Sequence, residues 1–86
     1  MGLNIVEMVM SIEQEFGVDL PDGALSRVTT VGSLHALLLE RLQIPAGTPR
    51  AEAIWQKLQA IVVTDLGVPL ESVTPNARLY EDLGAS

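Results

Sequence analysis

The sequence predicts an all-α domain, a bundle of three main helices and one short one. Three observations predict it. Apolar residues recur at steps of three and four along three separate stretches. Each stretch is followed by glycine or by a proline-containing break. Hydrophobic residues make up 48% of the chain, yet the only aromatics are Phe16, Trp55 and Tyr80, so the core must be Leu, Ile, Val and Met, which suits packed helices. Eighty-six residues bound this to a single small domain.

The first helix is expected over Leu3 to Phe16. Ile5, Met8, Val9, Ile12 and Phe16 form its inward stripe, and Gly17 is a good stop. Leu3, Val6 and Met10 form a second stripe on the opposite side, interleaved with Glu7, Glu13 and Gln14. Two readings stay open for it: a helix buried on two sides, or an exposed apolar-and-acidic face made for a partner. The stretch VDLPDGALSRVTTV (18–31) is a turn region with at most a short helical turn around Ala24 to Arg27. Thr29 or Thr30 can cap the next helix, which carries Val31, Leu34, Leu37, Leu38 and Leu42 and has Gly32 as its weak residue. Two prolines and a glycine in QIPAGTPR (43–50) make a loop or linker. The last long helix is expected from about Ala51 to Leu66, with Trp55, Leu58, Ile61, Val62 and Leu66 in register and Gly67 as its stop. The final nineteen residues lack a long period, and Val68, Leu70, Val73, Leu79 and Leu83 are spaced for a wrapping loop that dips them into a core.

Composition removes several function classes. A net charge of −6 repels phosphate backbones and anionic lipid, so nucleic acid and membrane surfaces are not expected partners and basic proteins are. With no cysteine there is no disulfide, Cys-based metal site or Cys nucleophile. The first ten residues hold Glu7 and no Lys or Arg, against a secretory signal, and Val6 stands where a myristoylation site wants Ser or Thr. No apolar run approaches the roughly 20 residues that span a bilayer. A soluble cytoplasmic protein is expected.

Three segments point to a family. VTPNARLYEDLGAS resembles the loop before the second helix of an acyl carrier protein. LNIVEMVMSIEQEFGVDLPDGALSRVTTVGSLHALL resembles the family's chain beyond that loop: second helix, short third helix and fourth helix. AEAIWQKLQAIVVTDLGVPLESVTP resembles the family's first helix and the start of its loop. The resemblance covers nearly the whole chain, and FGVDLPD and VTTVGSL are its most specific stretches. The order differs from the family's. Residues 1–43 are equivalent to helices two to four, 44–50 is a linker, and 51–86 is equivalent to helix one and the long loop. This is the pattern of a circular permutant, or of a piece cut across two members of a tandem array.

The resemblance implies a 4′-phosphopantetheine cofactor, esterified through its phosphate to the serine of an Asp-Leu-Gly-x-Asp-Ser-Leu motif. Such a phosphate is favoured by the backbone N–H groups and dipole of a helix N-terminus. Asp82, Leu83, Gly84 and Ala85 match the motif's start and Leu3 its end. Counted forward, Ser86 falls at the family's Asp and Gly2 at the modified serine. If Met1-Gly2 is an appended start, Ser86 is itself the serine. The resemblance further implies partners: a phosphopantetheinyl transferase and acyl-synthesis enzymes that present basic patches. Leu3, Glu7, Met10 and Glu13 keep the apolar-and-acidic character of the family's docking helix, and Val28 matches its apolar residue after the short third helix. Asn4 stands for a usual Asp and Gln14 for a usual Glu, which reduces electrostatic steering. Ile5, Met8, Ile12, Phe16 and Leu38 are the core groups expected around an acyl chain. A peptidyl carrier fits less well, since it usually has Gly-Gly before its His or Asp and Ser.

Other candidates carry less chemistry. His35 is the only histidine, beside Ser33 in no triad, and a partly exposed structural role is expected. Glu13 and Glu15 lie on different helix faces, and Glu81-Asp82 lacks a glycine-framed calcium pattern, so no metal site is expected. The sequence therefore predicts a carrier of acyl intermediates in fatty acid, polyketide or related lipid synthesis, not an enzyme, with its attachment site split between the two ends of the chain. The alternative is an engineered permutant or scaffold that keeps the fold without carrier activity. The seven residues Ile44 to Arg50 reach at most about 25 Å. A monomer is expected if that span suffices, and a dimer that exchanges halves if it does not.

Overall fold

The computed structural model describes residues 3–84. It holds four α-helices: α1 (Leu3–Phe16), α2 (Asp22–Leu25), α3 (Val31–Leu42) and α4 (Pro49–Leu66). A 3-10 turn at Leu70–Ser72 comes next, and then an extended stretch that closes on the start of α3. The chain is all-α, as the apolar spacing predicts.

Each helix boundary has a local cause. Helix α1 stops at Gly17, whose φ of +66° would strain any residue with a Cβ. Thr30 caps α3 reciprocally. Its Oγ1 accepts from the Ser33 N–H at 3.1 Å, while Ser33 Oγ accepts from the Thr30 N–H at 3.0 Å. Helix α4 begins two residues before the expected Ala51. Thr48 Oγ1 accepts from the Ala51 N–H, and Pro49 sits in the first turn, where its missing N–H costs nothing. The expected linker residues Pro49 and Arg50 are therefore helical. Helix α2 starts at Asp22, two residues before the expected Ala24, because the Ala24 and Leu25 N–H groups both bond back to Pro21 O.

Helix α1 packs along α4, and α4 also meets α3. The core between them is aliphatic. Met8, Ile12, Leu34, Leu38, Leu58, Val31, Val62 and Val73 have almost no exposed surface. A smaller cluster of Leu39, Ile44 and Ala51 sits where the linker leaves α3, so the linker is anchored by its first apolar residue. The long loop dips Val73, Ala77, Leu79 and Leu83 into the main core. Leu70 departs from expectation and is 57% exposed. Val73 is buried as expected, and the Gln59 side-chain amide donates to its carbonyl at 2.9 Å, which fixes the turn with Leu70 outward.

Gly32 shows why a weak helix former stands in α3. A Cβ there would lie 2.6 Å from the Pro75 carbonyl oxygen, to which the Gly32 N–H donates at 2.9 Å. The Val31 N–H donates to Ala77 O and the Leu79 N–H to Thr29 O, both at 3.0 Å. These three bonds tie the long loop to the start of α3 like a short antiparallel pair.

Candidate functional site

The site is built where this tethered loop crosses α1. Leu79 and Tyr80 come out of the pairing with α3 and form one wall of a small cavity. Ile5, Met8 and Val9 of α1 form another, and Leu25, Val28 and Leu34 complete it. Its volume is about 30 Å³, room for about two water molecules. The lining is almost entirely aliphatic, so it favours an apolar occupant over water. Ile5 and Met8, expected around an acyl chain, line this cavity. Ile12 and Leu38 do not; they are wholly buried deeper in the bundle. Phe16 is only partly buried against the core and also lies away from the cavity. Tyr80, 52% exposed, stands at the cavity's edge and was not anticipated. Its only sequence signal is that it is one of the three aromatics.

Beyond Tyr80 the chain turns tightly. The Arg78 N–H donates to Asp82 Oδ2 at 2.8 Å, and the Asp82 N–H returns a bond to Arg78 O at 2.9 Å. The Arg78 guanidinium also reaches Asp82 and Glu81. The backbone N–H of Arg78, and then its side chain, hold the Asp82 carboxyl below the usual carboxylate range. Leu83 is buried, and Gly84 takes a φ of +69°. The motif residues Asp82, Leu83 and Gly84 are thus fixed to the body of the protein. Ala85 of the motif, and Ser86 and Gly2, the two positions aligned with the family's serine, lie outside the described residues.

The outer face of α1 resolves the two readings of its second stripe. Val6 is 38% and Met10 52% exposed, and Glu7 is exposed beside them. They belong to an open face, not to a second core. Val6, Met10 and Glu13 line a groove with Leu20, Asp22 and Leu25 of the following turn and α2. Glu13 is only half free for a partner, because its Oε2 accepts from the Leu20 N–H at 2.8 Å and so holds the 17–20 turn. Val28 is not part of this groove; it lines the cavity. Of Leu3 only the backbone is described.

His35 is half-buried at the α3–α4 contact. Its Nε2 lies 3.0 Å from Ala51 O, and its ring meets Trp55 edge-on at 5.3 Å. Because a carbonyl can only accept, Nε2 carries the proton and donates. Among the described residues no group of three or more His, Cys, Asp or Glu could hold a metal ion. No described helix is long and apolar enough to cross a membrane.

The fold and these surfaces define a small helical bundle with a tethered loop, an apolar cavity under it and an exposed apolar-and-acidic face on α1. Curated proteins match part of the sequence. The chain is 41% identical over 40 residues to an acyl carrier protein of Picosynechococcus sp. (strain ATCC 27264 / PCC 7002 / PR-6), covering 46% of this chain and 49% of that protein. It is 42% identical over 41 residues to an acyl carrier protein of Phenylobacterium zucineum (strain HLK1), covering 48% of this chain and 52% of that one. The chain spans about half the length of the curated relatives it matches. No family model and no solved structure matches. The chain therefore has an acyl-carrier-like relationship over about half its length, and its all-α fold agrees with that relationship.

Proposed function

We propose that this chain is an acyl-carrier-like domain, a carrier and not an enzyme, that holds acyl intermediates as thioesters for fatty acid, polyketide or related lipid synthesis. The observation that carries the reading is the shared cavity wall. Leu79 and Tyr80 lie against Ile5 and Met8, so the loop that leads to Asp82 and Gly84 crosses the opening turns of α1. In the proposal these two segments flank one attachment position, although residues 51–84 come after residues 3–43 in the chain.

A 4′-phosphopantetheine arm, when bound, supplies the thiol that carries the acyl group. The described residues fit such a group in two respects. Helix α1 has no carboxylate in its first turn, so nothing there repels a phosphate at its N-terminus. The cavity beneath is apolar and small, so an acyl chain longer than a carbon or two enters only by parting α1, α2 and the loop. Ser86 is the residue that would bear the arm, since Gly2, which falls at the family's serine in the other alignment, has no hydroxyl to esterify; the enzymes that meet the face of Val6, Glu7 and Met10 would present basic, partly apolar surfaces. A cytoplasmic location belongs to the same proposal.

The test is intact mass before and after incubation with a broad-specificity phosphopantetheinyl transferase and coenzyme A. A gain of one arm, mapped to Ser86, supports the carrier reading. No gain from a chain that circular dichroism shows to be helical would mean that the fold is kept without the chemistry. Turnover of any thioester by the purified chain would refute the non-enzymatic part.

A further inference from the structure

We propose that copies of this chain associate head to tail, with the acidic face of α1 on one copy seated in an arginine-rimmed groove on the next. That groove lies between α2 and α3. Val28, Ala36 and Leu37 give it an apolar floor, and Arg27 and Arg41 stand at its rim with one carboxylate, Glu40. Its volume is about 320 Å³, enough to admit large side chains. The stretch from Ser33 to Arg41 on α3 gives it a length of about 12 Å.

Charge selects the occupant. The chain has five basic residues, and two of them line this one groove. Neither makes an ion pair among the described residues, where the pairs are those of Arg78 with Glu81 and Asp82. The complementary surface is on the same molecule. Residues 3–16 hold no Lys or Arg, and α1 exposes Val6 and Met10 beside Glu7, with Asp22 along the neighbouring groove. The two grooves share no lining residue, so one copy can use both at once. Such an interface is heterologous and extends from copy to copy.

The net charge of −6 opposes this at long range. At physiological salt the Debye length is about 8 Å, shorter than the molecule's dimensions of 29 × 28 × 20 Å. Whole-molecule repulsion is then largely screened, while pairs in contact persist. A patch this small sits below the standard interface size, so association is weak, and ~0.1 to ~1 mM is the range in which to look for it. It needs neither an arm nor an acyl chain, and it would cover the α1 face against other partners.

Sedimentation equilibrium over that range tests it. The weight-average mass should rise steadily above 9.2 kDa with concentration. R27E/R41E and E7R/M10K alter only exposed positions and should each remain monomeric. Mixed, they should associate again and grow past a pair, since the acidic face of R27E/R41E fits the intact groove and the reversed face of E7R/M10K fits the reversed groove. A wild-type mass that stays at one chain throughout overturns the proposal. So does association that persists in R27E/R41E, or a fixed twofold mass, which would instead mark dimers that exchange halves.

Discussion

Gly32 and Asp82 carry the most information for single side chains. Helix propensity alone makes Gly32→Ala stabilising by about 1 kcal/mol. The Cβ, however, would stand 2.6 Å from the Pro75 carbonyl oxygen, and a backbone atom cannot swing aside. Sterics should win. We expect Gly32→Ala to destabilise by about 1–3 kcal/mol, a fall in melting temperature of at least several degrees; a raised melting temperature would show that the loop yields there. Asp82 makes a pH prediction. Its folded pKa is depressed, chiefly by the Arg78 backbone N–H, so its contribution is complete above the ordinary carboxylate pKa of about 3.9. It is lost as pH falls through the depressed value. An NMR titration should show the Arg78 amide moving with Asp82, and Asp82→Asn should remove that response.

At the scale of elements, the caps and the linker decide where helices begin. Thr30→Ala removes one half of the reciprocal cap with Ser33 and should cost about 1 kcal/mol, read by thermal melting. The linker is not uniformly permissive. Ile44 is buried with Leu39 and Ala51, so Ile44→Ala should cost about 2 kcal/mol or more. Two residues inserted beside the exposed Gly47 should cost well under half of that, since loop closure grows slowly with length. Equal losses from both changes would mean that Gly47 is not a free point in the connection. The acidic face of α1 belongs to this scale too. Glu7→Arg should slow installation of an arm by the transferase about tenfold at low salt, and less at high salt.

For the whole molecule, the segment order is the feature to test. The bundle is held by the packing of α1 on α4 and by the loop's bonds to the start of α3, neither of which depends on which segment comes first. A chain that places residues 51–84 ahead of residues 3–43 should therefore give the same helical circular dichroism and the same protection of Leu58 and Val62 amides. A molten or aggregated product would show that the order matters to the fold.

Much of this was legible in the residues. The inward stripes of α1, α3 and α4 come from apolar spacing, and the stops at Gly17 and Gly67 from the freedom of glycine to take positive φ. Local rules missed the start of α4 by two residues, because Pro49 is read as a breaker unless Thr48 before it is seen to cap. They also missed Leu70 and Tyr80, whose exposure depends on a turn with no period of its own. Two questions only the tertiary structure decided. The open character of the second α1 stripe depends on whether another element covers it, which no periodicity encodes. The reason for Gly32 lies forty-three residues away at Pro75, where two backbones must touch. By itself the sequence determined the helices, the aliphatic core and the acidic charge, because these are properties of neighbours along the chain. The cavity, the open character of the acidic α1 face and the arginine groove required long-range packing, because each is formed by residues that only the fold brings together.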